Sequence, residues 1–164
     1  MQIIIEGISR CGKNHVAKFL ANSWEGLTLY KNEHNTPSRT PDFHTVAWIE
    51  SQVFATFDDF VKTRYQLSHA AFREYEGESL RPSFESLEDS CKDSVICIYI
   101  SQTYERFLEH NSDELKPSMS KYAYDELDRL YRKYMDKSKF DWKIIDNDGT
   151  LLELEENAWL AVIE

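Results

Sequence analysis

Strand-like and helix-like segments alternate from one end of this chain to the other, so the sequence predicts an α/β fold: a five-stranded, mainly parallel sheet covered by helices. Two stretches carry the prediction. At the N-terminus, the apolar Ile3-Ile4-Ile5 runs through Glu6-Gly7-Ile8-Ser9-Arg10-Cys11-Gly12-Lys13-Asn14 into a segment where Val16, Phe19 and Leu20 fall at helical spacing. That is the strand, glycine-rich turn and helix order of a phosphate-cradling loop. Further on, Ser94 opens the continuous apolar run Val95-Ile96-Cys97-Ile98-Tyr99-Ile100, the pattern of a strand covered on both faces.

The first stretch also carries the chemistry. Gly7 and Gly12 can take backbone angles that Cβ-bearing residues avoid, which lets successive N–H groups from Gly7, Ser9, Cys11, Gly12, Lys13, Asn14 and His15 converge on phosphate oxygens. Lys13 adds a mobile positive charge, and the helix start adds the positive end of its dipole. The Ser or Thr that usually follows the lysine, with its hydroxyl on magnesium, is Asn14 here, which offers a longer and differently aimed oxygen.

The remaining elements follow in order. Gly26 opens a short strand at 27–31, and the polar segment 32–42, with two prolines, reads as a loop. Val46, Ile49, Val53, Phe54 and Phe57 define an amphipathic helix over 43–57. A strand at 60–63 runs into a turn and helix over 64–72, which places Arg64 at the carboxyl end of a strand, the edge where open α/β sheets bind ligands. Its planar guanidinium suits a phosphate. A short helix is expected at 83–90, the buried strand at 94–100 and a helix at 102–110 bearing Arg106. The polar stretch 111–118 reads as a loop. A long helix over 119–137 carries a stripe of Tyr124, Leu127, Leu130, Tyr131 and Tyr134, and a strand at 142–146, a turn at 147–150 and a helix at 154–163 close the chain.

Composition narrows the function. At 164 residues one domain spanning 1–164 is expected. No apolar run approaches the roughly 20 residues of a membrane helix, and no secretory leader is evident, so a cytoplasmic protein without membrane association is expected. Cys11, Cys91 and Cys97 lack metal-type spacing and read as reduced thiols. A formal charge of −10 argues against broad nucleic-acid binding but suits a small anion held in one basic pocket.

With both motifs in hand, the chain resembles the thymidylate kinases, especially the short versions carried by bacterial viruses. Ile5-Glu6-Gly7 followed by the loop is similar to the family's Phe-Glu-Gly, and Arg10 stands where some members hold a loop arginine that reaches the phosphates. Thr63-Arg64-Tyr65-Gln66-Leu67-Ser68 is similar to the family's Asp-Arg-Tyr stretch with a serine three residues on, and Phe72 matches an aromatic that often follows. The resemblance implies a three-layer P-loop kinase fold with strand order 2-3-1-4-5, a lid around 106–121, ATP and Mg2+, and transfer of the γ-phosphoryl group to a deoxynucleoside monophosphate. It further implies that Lys13, Arg10 and Arg106 act in catalysis, that Arg64 holds the acceptor's phosphate with Tyr65, Ser68 and Phe72 around it, that Asn14 lies at the metal, and that two copies pair as a homodimer.

Three departures matter. The family's loop aspartate, which holds the acceptor sugar, is Ser9; the aspartate before the arginine is Thr63; and the lid stretch 111–120 has Lys116 but no arginine. Together with Asn14 they leave three readings open: a kinase of a thymidylate-like or modified pyrimidine monophosphate, a P-loop kinase of a nucleoside or of a modified base in DNA, and a nucleotide-binding protein without turnover.

Overall fold

The structure is a computed structural model that describes residues 1–30, 46–110 and 119–164, with the backbone of 43–45. The expected loop at 32–42 and the central part of the lid, 111–118, lie outside the described residues.

Five strands, β1 (Gln2–Glu6), β2 (Thr28–Tyr30), β3 (Phe60–Thr63), β4 (Ile96–Ser101) and β5 (Trp142–Asp146), form one sheet. All neighbours are parallel and the order is β2-β3-β1-β4-β5, as the resemblance implied. Every residue of β1 is buried. Its alternation shows why: Ile3 and Ile5 face a cluster with Val16, Leu20, Leu154 and Ala158, while Ile4 faces the opposite cluster with Phe54, Leu67 and Leu127. β4 does the same, with Cys97 and Tyr99 on one face and Ile98 and Ile100 on the other, as its continuous apolar run predicted.

Helices α1 (Lys13–Ser23) and α7 (Leu151–Ile163) cover the first face. The second is covered by α2 (Phe43–Thr56), α3 (Gln66–Tyr75), α4 (Phe84–Asp89), α5 (Tyr104–His110) and α6 (Lys121–Lys137). The expected elements are all found among the described residues, with shifts at their ends. β4 begins at Ile96 rather than 94 because a turn closed by Val95 N–H to Lys92 O, at 3.0 Å, precedes it. Helix α7 begins three residues before the expected 154, because Thr150 and Glu153 form a capping box. Ser83 and Ser120 cap α4 and α6 by accepting from the N–H groups of Ser86 and Ala123.

This topology fixes the place of the ligand edge. From β1 the chain moves outward one way to β2 and returns through β3, then crosses to β4 and β5 on the other side. The carboxyl end of β1 is thus the point where strand order reverses, and the crevice there is where open α/β sheets take ligands.

Candidate active site

The glycine loop between β1 and α1 is shaped by two glycines that a larger residue could not replace. Gly7 has φ 149° and Gly12 φ 98°. A Cβ on Gly7 would stand 2.7 Å from the Ile100 carbonyl oxygen of β4, and one on Gly12 would stand 2.9 Å from a Leu154 methyl. The first clash is with backbone that cannot give way.

Between them, five consecutive carbonyls are each bonded from behind or within the loop. Lys13 Nζ donates to Ile8 O at 2.8 Å, Gln102 Nε2 to Ser9 O at 3.4 Å, His110 Nδ1 to Arg10 O at 2.9 Å, Asn147 Nδ2 to Cys11 O at 2.8 Å, and Val16 N–H to Gly12 O at 3.0 Å. With its acceptors satisfied, the loop presents N–H groups as its remaining polar capacity, and a concave run of N–H groups is an anion site. Gln102 and Asn147 follow directly on the last residues of β4 and β5. Sequence reasoning placed them in a helix start and a turn. The signal that could have singled them out is their position just past a strand's carboxyl end.

Lys13 is 5% exposed, and its ammonium also lies 3.5 Å from Cys11 Sγ. Burial pushes its pKa down from 10.5 to about 8, with the nearby Arg64 adding to the fall while Cys11 and Glu6 oppose it. Arg10 is exposed, adopts a left-handed φ of 59°, and reaches His110 O at 3.4 Å with Nη1. His15, on the first turn of α1, is bonded at 2.8 Å to Glu155 of α7. Asn14 is exposed on the same turn.

Facing the loop is Arg64, the residue after β3. Its φ is 61°, a left-handed conformation that costs a non-glycine residue on the order of 1–3 kcal/mol. The strained turn is held by Arg64 N–H donating to Ile5 O at 2.9 Å. The guanidinium donates to Ser9 Oγ at 3.2 Å through Nη2 and lies 5.8 Å from the centre of the Phe72 ring. Its Nη1 is buried and makes no hydrogen bond among the described residues, so one face of the fork is available to an oxyanion.

Of the four residues expected around the acceptor, Arg64 and Phe72 stand together in this way. Tyr65 and Ser68 lie in the interior. Tyr65 is fully buried, its ring 4.1 Å from Phe54 and its hydroxyl 2.6 Å from Ser90 Oγ. Ser68 hydrogen-bonds Glu6 Oε2 and, at 2.7 Å, the Tyr131 hydroxyl. Glu6 explains this arrangement. Fully buried at the end of β1, it accepts the N–H groups of Tyr65 at 2.6 Å, Leu67 at 3.1 Å and Ser68 at 3.1 Å, and so caps α3 from another strand. Its carboxylate is thereby committed to α3.

Arg106 stands on α5, where Nη2 donates to Gly149 O at 2.7 Å and Nη1 to Glu109 at 2.9 Å. It ties α5 to the β5–α7 turn. The structure therefore places Lys13, Arg10 and Ser9 on the loop, Arg64 and Phe72 together against its Ser9, and Arg106 on α5, engaged with the β5–α7 turn. Among the described residues no cluster of three His, Cys, Asp or Glu side chains could hold a metal ion. With Glu6 committed, the donors present fit magnesium carried by nucleotide phosphates and water, with the exposed Asn14 amide oxygen as a protein contact.

No family model and no curated protein matches the chain. Solved structures do. The YorR protein of Bacillus subtilis, in complex with phosphorylated GDP, superposes with a TM-score of 0.76 at 15% identity over 99% of this chain and 96% of its own. Thymidylate kinase from Candida albicans gives 0.65 at 14% identity over 99% and 90%. Deoxyadenosine kinase from M. mycoides with bound dCTP gives 0.64 at 11% over 99% of each. At these identities the likeness shows the fold, that of the P-loop kinases, across nearly the whole chain.

Proposed function

We propose that the protein is an ATP-dependent kinase that transfers the γ-phosphoryl group to a deoxynucleoside monophosphate, a thymidylate-like or modified pyrimidine. The observation that carries the reading is the contact of Arg64 with Ser9, which sets an acceptor-side cation with a vacant buried donor directly against the phosphate loop. A protein that only gripped one nucleotide would have little need for a second phosphate-binding cation there. The kinase fold of the neighbours supports the same reading.

The chemistry asks for position and charge more than for covalent help. The loop amides and Lys13 hold the β- and γ-phosphates of ATP, Lys13 exchanging Ile8 O for phosphate oxygen. Arg64 Nη1 holds the acceptor's phosphate. An oxygen of that phosphate attacks the γ-phosphorus in line, the bond to the β–γ bridging oxygen breaks, and that oxygen leaves with ADP. Lys13 and Arg10 offset charge on the equatorial oxygens during transfer. Arg106 joins them once it releases Gly149 and Glu109, closing the lid and excluding water. Magnesium, when bound, shields phosphate charge, with Asn14 as its protein contact. Exposed Trp48 and Ile49 on α2, with Phe57 directly after it, support the pairing of two copies through that helix.

The test is ADP release measured with ATP, magnesium and each deoxynucleoside monophosphate in turn, with the free deoxynucleosides as a parallel series. Release with a pyrimidine monophosphate is expected. Release with the nucleosides alone would move the acceptor one step back, and ATP binding with no release on any acceptor would favour the third reading. That reading has its own support in Asn14, Thr63 and the commitment of Glu6 away from the site.

A further inference from the structure

Beneath the Arg64 turn lies a buried set of charges that the transfer step does not use. Lys62, the third residue of β3, is 1% exposed, and Glu50 of α2 and His69 of α3 are each 2% exposed. Lys62 Nζ lies 3.4 Å from Glu50 Oε1, and Glu50 Oε2 lies 2.9 Å from His69 Nε2. Burial alone would push the Glu50 carboxyl up, but Lys62 and His69 more than offset this and hold it below its ordinary value. Lys62 spends its other hydrogens on backbone: it donates to Arg64 O at 2.7 Å and to Thr63 O at 3.1 Å.

A buried ion pair is a poor way to gain stability, since apolar residues of similar volume serve as well or better. What this one does that an apolar pair could not is hold two successive carbonyls of a strained turn. Those carbonyls flank the φ of 61° that aims the guanidinium at Ser9. We propose that Lys62, held in place by Glu50 and His69, is a positioning residue that locks the left-handed turn at Arg64 and so aims the acceptor-binding guanidinium at the phosphate loop. The proposal rests on the reading of Arg64 as the acceptor's phosphate ligand, and it makes α2 and α3 part of the acceptor site through contacts that never touch the acceptor.

The test uses the whole chain with the double substitution Lys62→Met and Glu50→Gln, which removes both charges at similar volume. Lys62→Gln, which leaves Glu50 on His69, is the second variant should the first fail to fold. Two quantities are read: amide exchange at Arg64, whose N–H donates to Ile5 O, by NMR, and the affinities for dTMP and for ATP by calorimetry. The Arg64 amide is expected to exchange at least about tenfold faster while Ile4 and Val61 keep their protection. dTMP affinity is expected to fall about tenfold with ATP affinity changed less than about twofold. Unchanged exchange at Arg64 overturns the proposal, as does an equal loss of both affinities. If the wild-type chain binds neither dTMP nor any other deoxynucleoside monophosphate, the proposed function fails on that result alone, and the exchange measurement still decides whether Lys62 locks the turn.

Discussion

Lys13 carries a charge whose burial is unfavourable until an anion arrives. Because its folded pKa of about 8 lies below the value of 10.5 for an exposed lysine, the penalty is present in full below pH 8 and is relieved as pH rises from 8 to 10.5. Phosphate in the loop reverses this by favouring the ammonium. ATP binding at pH 8 should therefore take up about half a proton, with almost none at pH 6.5 and none at either pH in Lys13→Met. Calorimetry in buffers of differing ionisation heat measures this, and uptake that ignores pH would mean that Lys13 does not meet the phosphates. Arg64 gives a second expectation at this scale. Arg64→Lys keeps the charge but loses the fork that spans Ser9 and the acceptor, so the KM for the acceptor should rise about tenfold with the KM for ATP little changed. Steady-state kinetics with each substrate varied in turn separates the two. The placement of Lys13 on the loop and of Arg64 at the strand end was legible in the sequence because a glycine loop and a strand end each fix where a side chain emerges. Gln102, His110 and Asn147 were not, since what they bond is loop backbone, and no spacing in the chain reports a contact 93, 100 or 136 residues away.

At the scale of elements, the carboxyl end of β1 and the start of α3 are one unit. Glu6 closes three N–H groups that a helix start would otherwise bury unsatisfied, and it also accepts from the Ser68 hydroxyl. Glu6→Ala should lower stability by about 3 kcal/mol, read as a lower urea midpoint, because orphaned buried donors cost more than the net worth of the bonds they made. A change within a few tenths of a kcal/mol would mean that water replaces the carboxylate. Helix α3 carries Arg64's neighbours, so the same variant should also weaken acceptor use. The boundaries of the elements show where local sequence suffices. Ser83 caps α4 within a residue of the expected start, whereas α6 begins at Lys121, two residues after the expected 119, because Ser120 is its cap. Thr150 and Glu153 spell a capping box four residues after the end of β5, yet apolar spacing alone set the helix start at 154. The helical spacing of Tyr124, Leu127, Leu130 and Tyr131 on α6 marks a face that is buried, whereas Tyr65 required the packing of Phe54 and the position of Ser90, 25 residues away, to show that its ring is interior.

For the molecule as a whole, strand order puts β1 between β3 and β4 and so brings the loop after β1, Arg64 after β3, Gln102 after β4 and Asn147 after β5 to one edge. The order itself could be anticipated only from resemblance, because parallel pairing between strands distant in sequence leaves no local trace. A protein with a formal charge of −10 thereby carries Lys13 and Arg10 on the loop at this edge, with Arg64 against the loop's Ser9. Such focused positive potential suits two phosphate-bearing ligands better than a polymer. The most direct test of this account follows phosphorus through the reaction. Phosphorus NMR of the protein with ATP, magnesium and dTMP should show ADP and dTDP appearing in equal amounts, at a rate that Lys13→Ala lowers by about a thousandfold or more. Persistence of ATP and dTMP unchanged, or ADP accompanied only by inorganic phosphate, would contradict it.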